Sequence, residues 1–523
     1  MKFPVNQAGR DWHFQDLMLH RVHEILLVAS PYDAFILEED GRLTAQILHE
    51  YLGMNLSYAP RVWQANTAAY AMDLLSRRSI DLIIVMLRIS DMDPVTFGTK
   101  VKELYKNKPI ILLAFDESEV KQLPDNIDEV IDNVFVWTGD SNVFPAIIKC
   151  IEDTKNVKRD IRKGNVRAIL FIEDTPWYYS SILPVIYKET LYHTKQLIDK
   201  SLNDTQRLLH MRGRPKILLA KSYEEAEKYF KQYKNNILGI ISDIRFPKNG
   251  KLHPNAGILF AKYVRTIETT MPILLQSNEK EALELARTIT PNVLNKSSST
   301  LFSELREFII YNFGFGDFVF KLPNGEEIGK AVNMEELVEF ISTIPKESLD
   351  YHGSSNHFSN WLAARGEFKL ATQFRMVKNT DFNNLDERRQ HHIDLIRSSQ
   401  KTKQIGPVAE FRLTTKSLKA NFLSIGTGSL GGKARGLAFA NTYWGEAELA
   451  DKYPDVTLRV PKVAVVGTDE FDHFMDVNKL WETALSLDSN KDLEAVFLKG
   501  RLSRNLVQTL KEFLKEVHFP LAI

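Results

Sequence analysis

Short apolar runs, each closed by a polar residue, recur along the middle of the chain. Ala168-Ile169-Leu170-Phe171-Ile172 ends at Glu173-Asp174, and Ile237-Leu238-Gly239-Ile240-Ile241-Ser242 ends at Asp243. Pro272-Ile273-Leu274-Leu275-Gln276 leads into Ser277, and Pro291-Asn292-Val293-Leu294-Asn295 into Lys296. Runs of this length that alternate with helical patterns predict buried parallel strands in an α/β sheet. Ligands of such sheets gather at the carboxyl ends of the strands, so the five polar groups are expected on one edge.

The segment from about Glu24 to Lys149 has the same rhythm without the polar ends. Ile25-Leu26-Leu27-Val28 is followed by Ala29-Ser30, Asp81-Leu82-Ile83-Ile84-Val85 by Met86, Pro109-Ile110-Ile111-Leu112-Leu113 by Ala114, and Val134-Phe135-Val136 by Trp137. Internal duplication accounts for this pattern, with one copy stripped of its reactive groups. Asp91 and Asp93 lie beyond the strand end and are not expected to replace Met86.

The polar set of the second copy suits phosphorylation of an aspartate. A carboxylate can attack a phosphoryl donor and carry the group as an acyl phosphate, provided that cations neutralise the spreading negative charge. Glu173, Asp174 and Asp243 supply carboxylates for Mg2+, with the Arg245 carbonyl as a neutral ligand, because magnesium takes hard oxygen ligands. Lys296 provides a point charge for the phosphate and Ser277 a hydroxyl.

On Phe171-Ile172-Glu173-Asp174, Ser242-Asp243-Ile244-Arg245-Phe246-Pro247, Leu275-Gln276-Ser277 and Asn295-Lys296, the stretch from about Arg167 to Phe315 resembles a response-regulator receiver domain. The resemblance implies Asp243 as phosphoacceptor, Glu173 and Asp174 as the metal pair, Ser277 as the switch hydroxyl and Lys296 as the phosphate-binding lysine. It also implies a sensor histidine kinase or a small phosphodonor as partner. The sequence departs from the family where Ser297 follows Lys296 in place of proline, and where Val293 stands for the usual switch aromatic. A long link follows Asp174, and Lys248 to Asn255 looks like an insertion. The first copy resembles a pseudo-receiver kept for packing or protein contacts.

With 523 residues the chain holds three or four domains. Its 67 basic and 67 acidic residues balance, so no general attraction to nucleic acid or anionic membranes is expected. The lone Cys150 rules out an internal disulfide framework and agrees with a reducing, cytoplasmic setting. No apolar run approaches membrane-spanning length, and Met1 to Asp16 lacks a signal-peptide core. Glu152 to Asn165 is a charged helix extension or linker, and Phe313 to Phe318 marks the exit from the second copy into a mostly helical connector. There Asn333 is expected to cap a helix. His352 and His357 are read as packing and capping residues, and His391-His392 as solvated on a polar surface helix.

A second signal is Phe422-Leu423-Ser424-Ile425-Gly426-Thr427-Gly428-Ser429-Leu430-Gly431-Gly432-Lys433-Ala434-Arg435-Gly436-Leu437, an apolar strand, a glycine-rich turn and a lysine before a helix. Backbone amides and one cation meet a phosphate in this way. A Walker A loop fails at Thr427 and Ala434, whereas Gly426, Gly428 and Gly431 match the dinucleotide fingerprint but lack a following strand that ends in an acid. Together with Val460-Pro461-Lys462-Val463-Ala464-Val465-Val466-Gly467-Thr468-Asp469-Glu470-Phe471 and the closing Pro520-Leu521-Ala522-Ile523, the segment resembles the start of the ATP-binding domain of phosphoenolpyruvate synthase and pyruvate phosphate dikinase. That resemblance implies that Gly431, Gly432 and Lys433 contact ATP, and that downstream dikinase domains belong to the full enzyme.

The expected organisation is an N-terminal arm (1–23), a pseudo-receiver (24–150), a linker (151–166), a receiver (167–315), a helical connector (316–410) and the beginning of an ATP-grasp-type α+β lobe (411–523). The fold class is α/β, with two doubly wound, flavodoxin-like receiver domains. The function this implies is regulation of a dikinase-like phosphotransferase, of which this chain is the front part and on its own not catalytically competent. The alternative is a free-standing signalling adaptor, and homodimerisation is compatible with either.

Overall fold

The computed structural model describes residues 17–39, 43–45, 47–48, 59–124, 126–137, 139–199, 210–377, 381–405, 408–410, 422–426, 430–446, 461–487 and 489–517. The chain divides into two units, one of residues 1–197 and 209–387, the other of 198–208 and 388–523.

In the first unit, β1 (Glu24–Val28), β2 (Arg61–Ala65), β3 (Leu82–Met86), β4 (Ile110–Ala114) and β5 (Asn133–Val136) form a sheet of order β2-β1-β3-β4-β5. All its pairings are parallel. The helices between them are α1 (Pro31–Glu39), α2 (Ala68–Arg77), α3 (Pro94–Leu104) and α4 (Glu117–Lys121). A second sheet repeats the plan with β6 (Ala168–Ile172), β7 (Lys216–Ala220), β8 (Ile237–Asp243), β11 (Ile273–Ser277) and β12 (Val293–Asn295), in the order β7-β6-β8-β11-β12 and all parallel. Both are the doubly wound, flavodoxin-like order. The insertion after Asp243 is a two-stranded hairpin, β9 (Phe246–Lys248) with β10 (Lys251–His253). The second sheet's helices are α6 (Pro176–Asp199), α7 (Tyr223–Tyr233), α8 (Ala256–Ile267), α9 (Lys280–Arg287) and α10 (Leu301–Asn312), and α6 fills much of the long link after Asp174.

The two sheets share a core. Ile25, Leu27, Ile84, Met86, Leu113 and Phe135 of the first sheet belong to one apolar cluster with Ile169, Phe171, Leu219 and Ile241 of the second. Helices α5 (Val143–Gly164) and α6 contribute Phe144, Ile147, Ile151, Ile182, Leu183 and Ile186 to it. Each sheet has a separate cluster on its outer face.

The charged stretch read as a linker is the second half of α5, and four polar groups along one of its faces are buried. Glu152, Asp153, Asn156 and Asp160 are all excluded from solvent. Burial of such groups is tolerable only with partners, and these come from both flanks. The N-terminal arm donates Met18 N to Asp160 Oδ1 (3.0 Å), His20 N to Asn156 Oδ1 (3.0 Å) and Val22 N to Glu152 Oε1 (3.1 Å). From the domain of the second sheet, Arg214 grips Asp153 at 2.7 and 3.0 Å, and Lys216 Nζ lies 3.0 Å from Asp160 Oδ2.

After α10, the hairpin β13 (Phe318–Lys321) and β14 (Glu327–Ala331) precedes α11 (Met334–Thr343), α12 (Lys346–Ser354), α13 (His357–Ala364) and α14 (Phe368–Met376). Asn333 caps α11 by accepting from Glu335 N and Glu336 N, as its sequence predicts. His352 Nε2 accepts from Lys321 N (2.7 Å), and its Nδ1 lies 3.0 Å from His357 Nδ1, so the two rings serve packing and hydrogen bonding. One expectation is corrected in helix α15 (Leu385–Ile405), where His392 is buried rather than solvated. Burial pushes its imidazole pKa down to about 3.

The second unit contains a parallel three-stranded sheet, β15 (Val408–Glu410), β16 (Phe422–Ile425) and β17 (Val463–Val466), in the order β15-β16-β17. Helices α16 (Gly431–Glu446), α17 (Thr468–Val477), α18 (Leu480–Ser486), α19 (Asn490–Leu498) and α20 (Arg504–Glu516) accompany it. Among the described residues, no helix is long and apolar enough to cross a membrane.

Candidate functional site

The second sheet brings the predicted acids together. Glu173 and Asp174 follow β6, Asp243 closes the central strand β8, and the three offer carboxylate oxygens within 4.8 Å of one another. Lys296, directly after β12, reaches across to Glu173 Oε2 (2.6 Å) and Asp243 Oδ2 (2.8 Å). Asp243 is only 7% exposed, and its Oδ1 accepts from Ile244 N (2.7 Å). Gly257, near the start of α8, permits this crowding, because a Cβ there would fall 2.1 Å from the Asp243 carbonyl oxygen. Ser277 ends β11 on the neighbouring strand, where its Oγ accepts from Glu279 N (3.1 Å). The Arg245 side chain points to Glu279, with 3.6 Å between Nη1 and Oε1.

The electrostatics follow from burying several charges at one spot. Burial pushes the Glu173 carboxyl up to about 8, against the pull of Lys296, and the Asp243 charge adds to the rise. Asp174 is raised to about 6 by burial and by Asp243. Burial also disfavours the Lys296 ammonium, but Glu173 and Asp243 outweigh it and hold that group above its ordinary value. Three carboxylates against one ammonium form an oxygen donor set with excess negative charge, a composition that fits a hard divalent cation.

The pattern of the sequence did not single out three further residues here. Gln276 is buried and donates from Nε2 to Glu173 Oε2 (3.1 Å). Tyr178, in the first turn of α6, places its ring 4.1 Å from Lys296 Nζ. Asn278 donates to the Tyr178 hydroxyl (2.6 Å) and accepts from Ser297 Oγ (2.9 Å). Gln276 and Asn278 flank Ser277 directly, so adjacency to the motif is the signal by which they could have been found.

Among the described residues, the strand ends of the first sheet carry no matching set of acids and lysine. Met86 and Trp137 are buried in the shared core, and Ala114 is fully enclosed. The acids that follow are used as caps. Asp91 accepts from Ala68 N (2.6 Å) and Ala69 N (3.1 Å) at the start of α2, and Asp93 accepts from Val95 N (3.1 Å) and Thr96 N (2.9 Å) at the start of α3.

In the second unit, Gly431, Gly432 and Lys433 open α16, beyond the end of β16. Gly431 (φ +74°) and Gly426 (φ +90°) both adopt left-handed backbone that favours glycine. A Cβ at Gly426 would meet Asp469 Oδ1 at 2.6 Å, which places the N-terminal turn of α17 against the end of β16. Lys433 is exposed, and Thr427, Gly428 and Ser429 lie outside the described residues.

A scan against known protein families finds no match. A search of the curated proteins also finds none. Among solved structures, the signal receiver domain of an HD domain-containing protein from Pseudomonas fluorescens Pf-5 is 24% identical, over 27% of this chain and 95% of its own, with a TM-score of 0.21. NtrX from Brucella abortus is 12% identical, over 71% of this chain and 100% of its own, with a TM-score of 0.22.

Proposed function

We propose that the chain is a signalling protein that takes up a phosphoryl group on Asp243, regulated through its second receiver, with the first as a non-phosphorylatable structural partner. The observation that carries this reading is the buried Asp243 carboxylate with Lys296 at 2.8 Å and two further acids within reach. In the proposed reaction an Asp243 carboxylate oxygen attacks the phosphorus of the donor, the bond from phosphorus to the donor's leaving atom breaks (P–N in a phosphohistidine, P–O in acetyl phosphate), and the leaving group departs with that electron pair. Lys296 faces the developing negative charge from one side. Glu173, Asp174 and Asp243, with the Arg245 carbonyl, would hold Mg2+, which when bound neutralises charge on the transferring group. Ser277 offers a hydroxyl to the phosphorylated state. The donor is a sensor histidine kinase or a small molecule such as acetyl phosphate. Incubation with acetyl phosphate and Mg2+ is expected to add one phosphoryl group, and Asp243→Asn to abolish it. A folded wild-type protein that takes no label would remove the reading.

The finer reading is that the second unit is the first part of an ATP site of the phosphoenolpyruvate synthase and pyruvate phosphate dikinase type. Gly431, Gly432 and Lys433 at the start of α16 would receive the phosphates, and phosphorylation at Asp243 would control the downstream transfer. This rests on the strand–glycine–helix order β16 to α16. Protection of Lys433 from acylation by ATP, in protein carrying the downstream domains, tests it. Unchanged acylation there would leave the signalling adaptor as the better description.

A further inference from the structure

Three consecutive residues in the first turn of α6 connect the candidate phosphorylation site to the degenerate receiver. Tyr178 faces the site, with its ring 4.1 Å from Lys296 Nζ and its hydroxyl accepting from Asn278 Nδ2 at 2.6 Å. Asn278 in turn accepts from Ser297 Oγ at 2.9 Å. The three residues stand on separate elements, the α6 start, the turn after β11 and the turn after β12. Asn278 and Ser297 are exposed, whereas Lys296, Asp243 and Glu173 beneath are buried. They therefore make a rim closed by hydrogen bonds over a buried charged floor. The serine after Lys296, a departure from the receiver pattern, is what allows this closure, since proline has no hydroxyl to donate.

The next two residues face the other way. Tyr179 donates its hydroxyl to Val134 O, and Ser180 Oγ accepts from Val136 N at 2.9 Å. Val134 and Val136 belong to β5, the edge strand of the first sheet, so these contacts satisfy an edge that would otherwise stay open. Tyr179 also packs edge-on against Phe135, with ring centroids 5.3 Å apart. The first turn of α6 is thus held by the degenerate receiver on one side and supplies the rim on the other.

We infer that Tyr178 is a positioning residue that, clasped to Asn278 and Ser297, limits the access of water to phosphorylated Asp243, and that the degenerate receiver holds it in place. The inference rests on the proposed phosphorylation of Asp243. In the step it controls, a water oxygen attacks phosphorus, the P–O bond to Asp243 breaks, the carboxylate leaves with the electron pair, and the water's proton passes to solvent. Loosening the clasp exposes the phosphorus and shortens the lifetime of the acyl phosphate. Ser180, far from the reacting atoms, acts only through the helix.

The test uses the full chain labelled with acetyl phosphate and Mg2+, freed of donor and followed by intact mass. Tyr178→Phe, which keeps the ring over Lys296 but loses the hydroxyl, and Asn278→Ala are each expected to shorten the half-life about fivefold, the worth of one hydrogen bond. Ser180→Ala should shorten it in the same direction while touching nothing at the site. Half-lives equal to wild type in Tyr178→Phe and Asn278→Ala overturn the clasp. A shortened half-life in those two with none in Ser180→Ala overturns the role of the degenerate receiver. A wild-type chain that takes no label removes the phosphorylation reading itself, an outcome distinct from both.

Discussion

Substituting Asp160 by Asn tests whether the two sheet domains of the first unit are bound by a buried charge network. Lys216 is fully buried, with its Nζ 3.0 Å from Asp160 Oδ2 and 4.0 Å from Asp153 Oδ1. Burial pulls its ammonium down and the neighbouring Arg214 adds to that, while Asp153 and Asp160 oppose them. Asp153 is shared with Arg214, from which it accepts two hydrogen bonds, and Asp160 is the nearer counter-charge of Lys216. Asparagine keeps the acceptor for Met18 N but removes the charge. Breaking one partner of a buried pair costs about 3–5 kcal/mol. A ceiling exists, because a lysine can instead release its proton, at a cost near pH 7 of about 4–5 kcal/mol from an ordinary pKa of about 10.4.

The expected loss at pH 7 is therefore about 3–4 kcal/mol, read as a lower urea midpoint by circular dichroism. The pH dependence gives the signature. In the variant the folded-state Lys216 pKa falls further below its unfolded value, so the unfolded chain binds the extra proton. Stability of the variant then rises with pH relative to wild type, by at most about 1.4 kcal/mol per pH unit. A deficit under about 1 kcal/mol, or a gap independent of pH, would refute the reasoning and mean that Lys216 carries no charge in the wild-type fold.

Three further outcomes are expected. Gly257→Ala puts a Cβ 2.1 Å from the Asp243 carbonyl oxygen, so the start of α8 must shift, and labelling by acetyl phosphate should fall at least about tenfold for a displacement near 1 Å. Gly314→Ala combines a φ of +75° with a Cβ 2.7 Å from Trp361 Cα, and a loss of about 2–3 kcal/mol in urea unfolding is expected. His193 is buried, its Nε2 donates to Ala364 O at 2.8 Å, and burial pulls its pKa down to about 4. Because the unfolded imidazole titrates near 6.5, this residue's contribution is present above that value and is lost as pH falls towards 4, by about 3 kcal/mol in all, and His193→Gln should flatten that part of the urea–pH profile.

Much of the second sheet could be read from the sequence because its strands are mostly apolar and its polar groups stand at their ends. Glu173, Asp174, Asp243 and Lys296 meet as that pattern predicts. The stripped edge of the first copy was legible for the same reason, since Met86 continues the inward face of Leu82 and Ile84. The seam between the copies was not. Charge in Glu152 to Asp160 signals solvent when a segment is read alone, and the partners that bury it, Arg214 and Lys216, lie far along the chain. His392 misled in the same way, a buried residue within a polar run. Tyr178 carries no local signal, because the partners that define its role come from two other strand ends.

The central claim concerns one carboxylate, and chemical trapping reads it directly. Acetyl phosphate–treated protein reduced with borohydride converts a phosphorylated aspartate to homoserine, which peptide mass spectrometry locates. The account predicts homoserine at position 243 alone, dependent on Mg2+. Homoserine at Asp91, Asp93 or Asp174, or none in a folded protein, would contradict it.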